Sequence, residues 1–126
     1  RTLIQPGRPT VFGRAQGTFF FGLPGNPVST MITFRVFAQA AVELLAGRTD
    51  AALPFLLSRL TRPFRHQPGL TRFLPARLSP DGAELTPIEW QGSSDVAAVA
   101  RADAFLVAAA DRESWEAGEL IPVLMK

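Results

Sequence analysis

The sequence contains no cysteine, no tyrosine, one histidine and, among thirteen basic residues, a single lysine. Without cysteine the protein has no disulfide, no thiolate metal site and no cysteine nucleophile, which fits a reducing compartment such as the cytoplasm. Long apolar runs are also missing: the longest spans residues 104–110, whereas a membrane-crossing helix needs roughly 20 apolar residues. We therefore expect a cytoplasmic protein without a membrane segment, and its first residues show no signal-peptide pattern.

Basic and acidic residues are unevenly distributed along the chain. Residues 1–80 contain ten arginines against two acids, whereas residues 81–126 contain three basic residues against nine acids. The positive field of the first part favours an anionic partner such as a phosphate, an oxyanion or nucleic acid.

The first 47 residues predict a hairpin followed by a helix. Short apolar runs at residues 11–13 and 18–21 predict the hairpin, and its three consecutive phenylalanines indicate a strand covered on both faces. Asn26 is expected to cap a helix that starts at Pro27 and ends at Gly47. The predicted apolar face of this helix consists of Met31, Phe34, Ala38, Ala41 and Leu45. A single hairpin and helix do not make a stable α/β layer, so we expect further sequence upstream.

Beyond Gly47 the sequence predicts a small all-β barrel or sandwich. Residues 48–54 have the character of a linker, and five short apolar runs follow, at residues 55–60, 71–78, 84–88, 105–109 and 120–124. Turns are expected at residues 79–82 and 116–118. Ser93 or Ser94 is expected to cap a short helix over residues 95–100.

Two segments have the character of an anion site. The loop that ends in Asn26 leads from a strand into a helix, whose free N–H groups and dipole favour a negative ligand, and the Ser29 hydroxyl would add a donor. Simple capping of the helix by Asn26 and Ser29 is the more common meaning of this pattern. The turn of residues 6–9 exposes Arg8, either as an oxyanion clamp or as part of a solvated surface turn.

Other aromatic and basic residues suggest less specific roles. The arginines at positions 59, 62, 65, 72 and 77 alternate with Phe64 and Phe73, as in an oligonucleotide-binding face, although solvated strand positions and core phenylalanines are the more common meaning. Trp90 and Trp115 are interpreted as core or domain-contact residues. His66 has no acidic neighbour in the sequence, so we assign it no catalytic or metal-binding role. Because the arginine and phenylalanine pattern has this more common structural meaning, nucleic acid is not the expected partner.

Two motifs resemble those of the molybdopterin molybdotransferase family, which includes bacterial MoeA and eukaryotic gephyrin. Pro6-Gly7-Arg8-Pro9 and Leu23-Pro24-Gly25-Asn26-Pro27-Val28-Ser29 are similar to the family's Lys-Pro-Gly-x-Pro and Leu-Pro-Gly-Asn-Pro-Val-Ser motifs, in the same order around a hairpin. Residues 91–96 and 102–107 resemble the family's C-terminal β domain. The resemblance implies a mixed fold class, in which residues 1–47 are the truncated C-terminal end of an α/β molybdopterin-binding domain and residues 48–126 a β-barrel-like domain.

The same resemblance implies a role in molybdenum cofactor biosynthesis. The family's transferase inserts molybdate into adenylylated molybdopterin and releases AMP with the help of Mg²⁺, whose ligands would lie upstream of this chain, and its members are homodimers. The residues that would bind molybdopterin or molybdate are Pro6, Gly7, Arg8, Pro9, Pro24, Gly25, Asn26, Pro27, Ser29, Arg72, Ser93 and Ser94. The chain alone is expected to be inactive. Gln5 stands where the family usually has lysine, which favours, as an alternative, a non-catalytic interaction or scaffold module.

Overall fold

A hairpin, a long helix and a closed β-barrel follow one another along the chain. The computed structural model describes residues 2–53 and 55–126. The strands in these residues are β1 (Ile4–Gln5), β2 (Val11–Ala15), β3 (Thr18–Gly22), β4 (Phe55–Leu60), β5 (Phe64–Arg65), β6 (Thr71–Leu78), β7 (Glu84–Pro87), β8 (Ala104–Ala108), β9 (Ser114–Trp115) and β10 (Leu120–Met125). The helices are α1 (Pro27–Thr33), a π-helical segment (Phe34–Ala38), α2 (Gln39–Leu45) and α3 (Val96–Ala100).

The barrel is formed by strands in the order β6-β7-β4-β10-β8, and β8 pairs again with β6 to close it. Closure leaves the inward-facing side chains in a small space, which they fill. The core there includes Leu60, Leu85, Leu106, Ile121 and Val123, each no more than 2% exposed. The prediction of a barrel-like β domain is therefore confirmed, and of the two architectures expected it is the barrel that forms.

The five predicted strands of the barrel are all present, with ends that differ by no more than one residue. The additional pairing of β5 with β9 was not predicted, because strands of two residues are too short for a periodic pattern. The predicted short helix is present as α3, but its cap is Asp95 and not Ser93 or Ser94. The helix begins at Val96, so it is Asp95 whose Oδ1 accepts a hydrogen bond from Ala98 N at 2.9 Å.

The predicted turn between β6 and β7 is held by side-chain hydrogen bonds. Ser79 Oγ donates to Asp81 Oδ1 at 2.6 Å, and Ala83 N donates to the same oxygen at 3.1 Å. These bonds stabilise the ionised carboxylate and lower the pKa of Asp81, with the Ser79 bond the larger cause. Gly82 has a φ of +72°, the conformation for which glycine was expected here.

The hairpin of β2 and β3 turns at Gln16 and Gly17, and both residues have a positive φ. Because the turn takes only these two residues, the two strands are longer than predicted. Within the described residues the phenylalanine strand is not covered on both faces, and its expected burial by further sequence stays a prediction. Phe19 and Phe20 are 47% and 48% exposed, because the two-stranded sheet is not covered by another described element on these side chains.

The long helix begins at Pro27 with Asn26 as its cap, as predicted. Its buried face agrees with the predicted one only in part. Ala38 is buried and Met31 packs against the core, but Val28 and Ile32 are also buried against the barrel, whereas Phe34 is 43% and Leu45 71% exposed. The helix contacts the barrel through its first turns and through the π-helical segment, where Val36 packs against the same core cluster and Arg35 donates to Met125 O. The π-helical segment also alters the angular spacing of the side chains that follow. The apolar stripe of the sequence and the face that meets the core therefore overlap only in part.

The helix and the hairpin together carry exposed apolar surface. Phe12, Phe19, Phe21, Ala41, Leu44 and Leu45 line a shallow depression of about 210 Å³. By length and composition, the helix Pro27–Leu45 also meets the criteria for crossing a membrane. A single helix of this kind is weak evidence for a membrane span, because core helices of soluble proteins meet the same criteria and this one packs on the barrel through its first turns.

Candidate functional site

Two arginines and two serines from four separate segments converge on one cleft. The segments are the turn after β1, the first turn of α1, strand β6 and the loop before α3. The cleft has a volume of about 330 Å³ and is lined by Gln5, Pro6, Gly7, Arg8, Pro9, Ser29, Arg72, Leu74, Trp90, Gly92 and Ser93. None of these described lining residues is acidic, so the cleft presents cationic and hydroxyl groups without a carboxylate.

The turn that carries Arg8 is held in place by β1 and by its own hydrogen bonds. β1 pairs in parallel with β6, which places Gln5 opposite Arg72. The Gly7 carbonyl accepts hydrogen bonds from the hydroxyls of Thr2 and Thr10 at 2.8 and 2.7 Å. Pro6 and Gly7 are buried, whereas Arg8 is exposed at the rim. The turn is therefore rigid, and it presents the guanidinium of Arg8 to the cleft.

Gly7 fits where no other residue does. Its φ is +132°, and a Cβ at this position would lie 2.6 Å from Thr33 Cγ2 and 2.9 Å from Ile4 Cδ1. The turn therefore packs directly on α1, one helical turn beyond Ser29. This contact sets the distance between the arginine turn and the serine of the cleft.

Arg72 contributes a partly buried charge. It stands near the start of β6 between Thr71 and the core residue Phe73, which is 3% exposed. Its Nε atom is buried and has no hydrogen-bond partner within residues 2–53 and 55–126. Because Arg72 is only partly buried and lines the cleft, its charge acts on whatever occupies the cleft, while the unpaired Nε itself is out of reach of solvent.

The loop with Gly92 and Ser93 is anchored by one carboxylate. Asp95 Oδ2 accepts from Gln91 N at 3.3 Å, its Oδ1 accepts from Ala98 N, and its own N–H donates to Gly92 O at 2.9 Å. Asp95 thus fixes both ends of the loop and the start of α3. Ser93 is held at the wall of the cleft by this anchoring.

The start of α1 does not offer free N–H groups to the cleft. Asn26 Oδ1 accepts from Val28 N at 3.1 Å and from Ser29 N at 3.3 Å, and Pro27 has no N–H. The expectation that the helix amides are free to hold an anion is therefore wrong, and the capping alternative describes this segment. Ser29 itself is only 6% exposed, and the one bond of its hydroxyl in the described structure is a long one, 3.5 Å to Asn26 Oδ1.

The cap makes a testable prediction about stability. We expect Asn26→Ala to lower the free energy of unfolding by about 1 kcal/mol, since the N–H groups of Val28 and Ser29 lose their acceptor. Asn26→Asp keeps an oxygen at the same position and is the matched control. Urea denaturation of the two variants measures the effect; equal losses in both would contradict the capping role.

The predicted binding residues divide into two groups. Those brought together in the cleft are Pro6, Gly7, Arg8, Pro9, Ser29, Arg72 and Ser93. Those outside its lining are Pro24, Gly25, Asn26, Pro27 and Ser94. The first four form a loop bound to its own helix, where Thr30 Oγ1 donates to Pro24 O and to Asn26 O, and Ser94 is exposed. In the described structure they support α1 and the adjacent loop, and their direct role in binding stays a prediction.

Sequence reasoning missed three lining residues besides Gln5: Leu74, Trp90 and Gly92. The interpretation of Trp90 as a core or domain-contact side chain describes it in part, since it packs partly against the core. Its position in the loop before Gly92 was the available signal, because binding residues lie disproportionately on loops held by a rigid scaffold.

The described residues contain no group of three or more His, Asp or Glu side chains able to hold a metal ion. Mg²⁺ binds to oxygen ligands, usually including carboxylates, and the cleft is lined by none. The residues of the cleft therefore do not fit the Mg²⁺ that the family resemblance implies.

Comparisons with known proteins agree on one family. The model of the MoeA C-terminal region (domain IV) matches residues 58–126. Among curated relatives, the molybdenum cofactor synthesis protein cinnamon of Drosophila melanogaster is 33% identical over 97% of this chain and 21% of its own length. The molybdopterin molybdenumtransferase of Haemophilus influenzae is 30% identical over 95% of this chain and 31% of its own length.

Solved structures show the same relationship. The molybdopterin biosynthesis MoeA protein of Pyrococcus horikoshii superimposes with a TM-score of 0.78 at 31% identity, over 98% of this chain and 30% of that one. The chain thus spans between a fifth and a third of the length of these relatives.

Proposed function

The chain belongs to the family of the MoeA C-terminal region (domain IV), and on that premise we propose that it works in molybdenum cofactor biosynthesis as the C-terminal part of a molybdopterin molybdenumtransferase. The reaction is the insertion of molybdate into adenylylated molybdopterin with release of AMP. The observation that supports this most directly is the convergence of Arg8, Arg72, Ser29 and Ser93 on a cleft without a carboxylate.

The chemistry of the cleft suits a tetrahedral dianion such as molybdate. Guanidinium groups donate charge-assisted hydrogen bonds to oxyanions, and these are about twice as strong as neutral ones. Hydroxyls of Ser29 and Ser93 add donors that reorient without moving the backbone. In the proposed reaction Arg8 and Arg72 bind and orient the oxyanion, while the serine hydroxyls hold its remaining oxygens.

The exposed apolar surface supports a longer protein. We propose that residues 1–47 end an α/β molybdopterin-binding domain and that other parts of this domain cover Phe12, Phe19 and Leu45. Exposed apolar surface of this kind marks an interaction site in a stable protein. The Mg²⁺ ligands are proposed to lie outside this chain, and the longer protein is proposed to be a cytoplasmic homodimer.

The test measures molybdate-dependent AMP release in the chain joined to the coding sequence that precedes it. We expect Arg8→Ala and Ser29→Ala each to lower the rate of AMP release about tenfold or more. Arg8→Ala removes a charged hydrogen-bond donor, and Ser29→Ala removes a buried hydroxyl donor. Arg14→Ala and Ser94→Ala are matched controls, since both residues lie outside the lining of the cleft. Unchanged rates for both cleft variants would remove these residues from the mechanism.

A second candidate function is a non-catalytic scaffold of the same family. It is favoured by Gln5, which lines the cleft with an uncharged side chain where the family usually has lysine. A longer protein that binds adenylylated molybdopterin without releasing AMP, and that gains AMP release in Gln5→Lys, would support the scaffold. AMP release by the unmodified protein would exclude it.

A further inference from the structure

We infer that Trp90 determines specificity in the cleft by stacking on a planar heterocycle that is covalently joined to the bound anion. The inference rests on the proposed function, because it concerns the ligand of the same cleft. It adds the part of the ligand that the arginines and serines do not recognise.

The size of the cleft is the first observation. Its volume of about 330 Å³ would hold roughly ten waters at about 30 Å³ each, and it lies at the lower end of the range typical of small organic ligands. A bare tetrahedral oxyanion fills only a fraction of that volume. The remaining space therefore fits a ligand with an organic portion.

The composition of the wall is the second observation. Trp90 and Leu74 supply apolar surface beside the cationic and hydroxyl groups of the same cleft. An indole ring binds flat heterocycles by stacking without regard to their exact hydrogen-bonding groups. A wall that combines aromatic and cationic groups therefore suits a phosphorylated heterocycle better than an inorganic anion.

The support behind Trp90 is the third observation. The ring is partly buried, and it packs against the core cluster that contains Phe73 and Val99. The backbone is anchored on both sides, by Ile88 N donating to Pro75 O at 3.0 Å and by Gln91 N donating to Asp95 Oδ2. Trp90 is thus held in one orientation before any ligand arrives, which lowers the entropy cost of stacking.

The second tryptophan provides a contrast. Trp115 is 4% exposed and lies in the barrel core, 5.8 Å from the ring of Phe64 and 4.9 Å from the guanidinium carbon of Arg112. The two tryptophans therefore have separate environments. In a Trp115→Phe background, the fluorescence of the protein reports on Trp90 alone.

The experiment titrates the 126-residue chain in this background, because every described lining residue of the cleft lies within it. The probes are molybdate, AMP and neopterin monophosphate, and affinities are measured by calorimetry alongside the tryptophan emission. We expect AMP or neopterin monophosphate to quench Trp90 and to bind more tightly than molybdate. The tighter of the two identifies the preferred ring.

Substitution of Trp90 completes the test. We expect Trp90→Ala to weaken binding of the phosphorylated heterocycle about tenfold or more, and molybdate binding less than about threefold. Trp90→Phe should keep most of the affinity, since it retains an aromatic face. Circular dichroism checks that each variant is folded.

Each outcome decides between the two proposals. If molybdate and the heterocycles all fail to bind both this chain and the chain joined to the coding sequence that precedes it, the proposed function of the cleft fails. If molybdate binds but neither heterocycle quenches Trp90, or if Trp90→Ala weakens every probe equally, only the inference about Trp90 is overturned. If Trp90→Ala does not fold, the quenching result and the affinities of Trp90→Phe decide whether the inference about Trp90 holds.

Discussion

Arg72→Met is expected to lower the affinity of the cleft for molybdate by between about tenfold and a hundredfold. A hydrogen bond to a charged group contributes about 1.5–3 kcal/mol, and the guanidinium of Arg72 is the partly buried cation of the cleft. Arg72 is partly exposed and lines the cleft, so its positive charge attracts a bound oxyanion. Isothermal calorimetry with molybdate, at fixed ionic strength, measures the change.

The same substitution should not destabilise the fold. A partly buried charge costs some desolvation energy, so replacing Arg72 by a flexible apolar side chain of similar length is expected to change the free energy of unfolding little. Arg77→Met is the matched control: Arg77 lies on the same strand, is exposed and donates to Arg101 O. Unchanged molybdate affinity in Arg72→Met, or an equal loss in the control, would show that Arg72 has no specific role in binding.

Gly7→Ala is expected to lower the free energy of unfolding by about 2–4 kcal/mol, the sum of a backbone and a contact effect. The φ of +132° is unfavourable for any residue with a Cβ, and the new Cβ would lie 2.6 Å from Thr33 Cγ2. Because the turn then moves away from α1, the same change should also weaken anion binding by Arg8. Urea denaturation measures the first effect and calorimetry with molybdate the second.

Two companion variants separate the backbone effect from the contact effect. Gly69 has a φ of +109°, and no atom lies within 4 Å of the position that a Cβ would take there, so Gly69→Ala reports the cost of the backbone conformation alone. Thr33→Ser removes the Cγ2 that is too close, and it keeps the hydroxyl that donates to Ser29 O at 2.8 Å. We expect Thr33→Ser, combined with Gly7→Ala, to restore part of the stability that Gly7→Ala loses. An equal loss in Gly69→Ala and Gly7→Ala would show that packing on α1 is unimportant.

Agreement between sequence and structure is best where the determinants are local. The barrel strands are predicted nearly to the residue because each is a short apolar run between turn-forming residues, and the turn at Asp81 depends on its immediate neighbours. The cap at Asn26 is predicted correctly for the same reason. The errors occur where the partner of a residue is distant: Phe34 was expected in the core and is 43% exposed, since the side of the helix that meets the barrel is set by packing and not by the helix's own sequence.

By itself the sequence determined the order and type of most elements, the capped start of α1 and the motifs that indicate the family, because these depend on residues adjacent in the chain. Only the tertiary structure decided which residues face the cleft. Pairing of β1 with β6 brings Gln5 beside Arg72, and closure of the barrel places Trp90 and Ser93 in the lining of the same cleft as Ser29. Such neighbours are set by strand pairing and packing between distant segments, for which a single sequence carries no periodic signal.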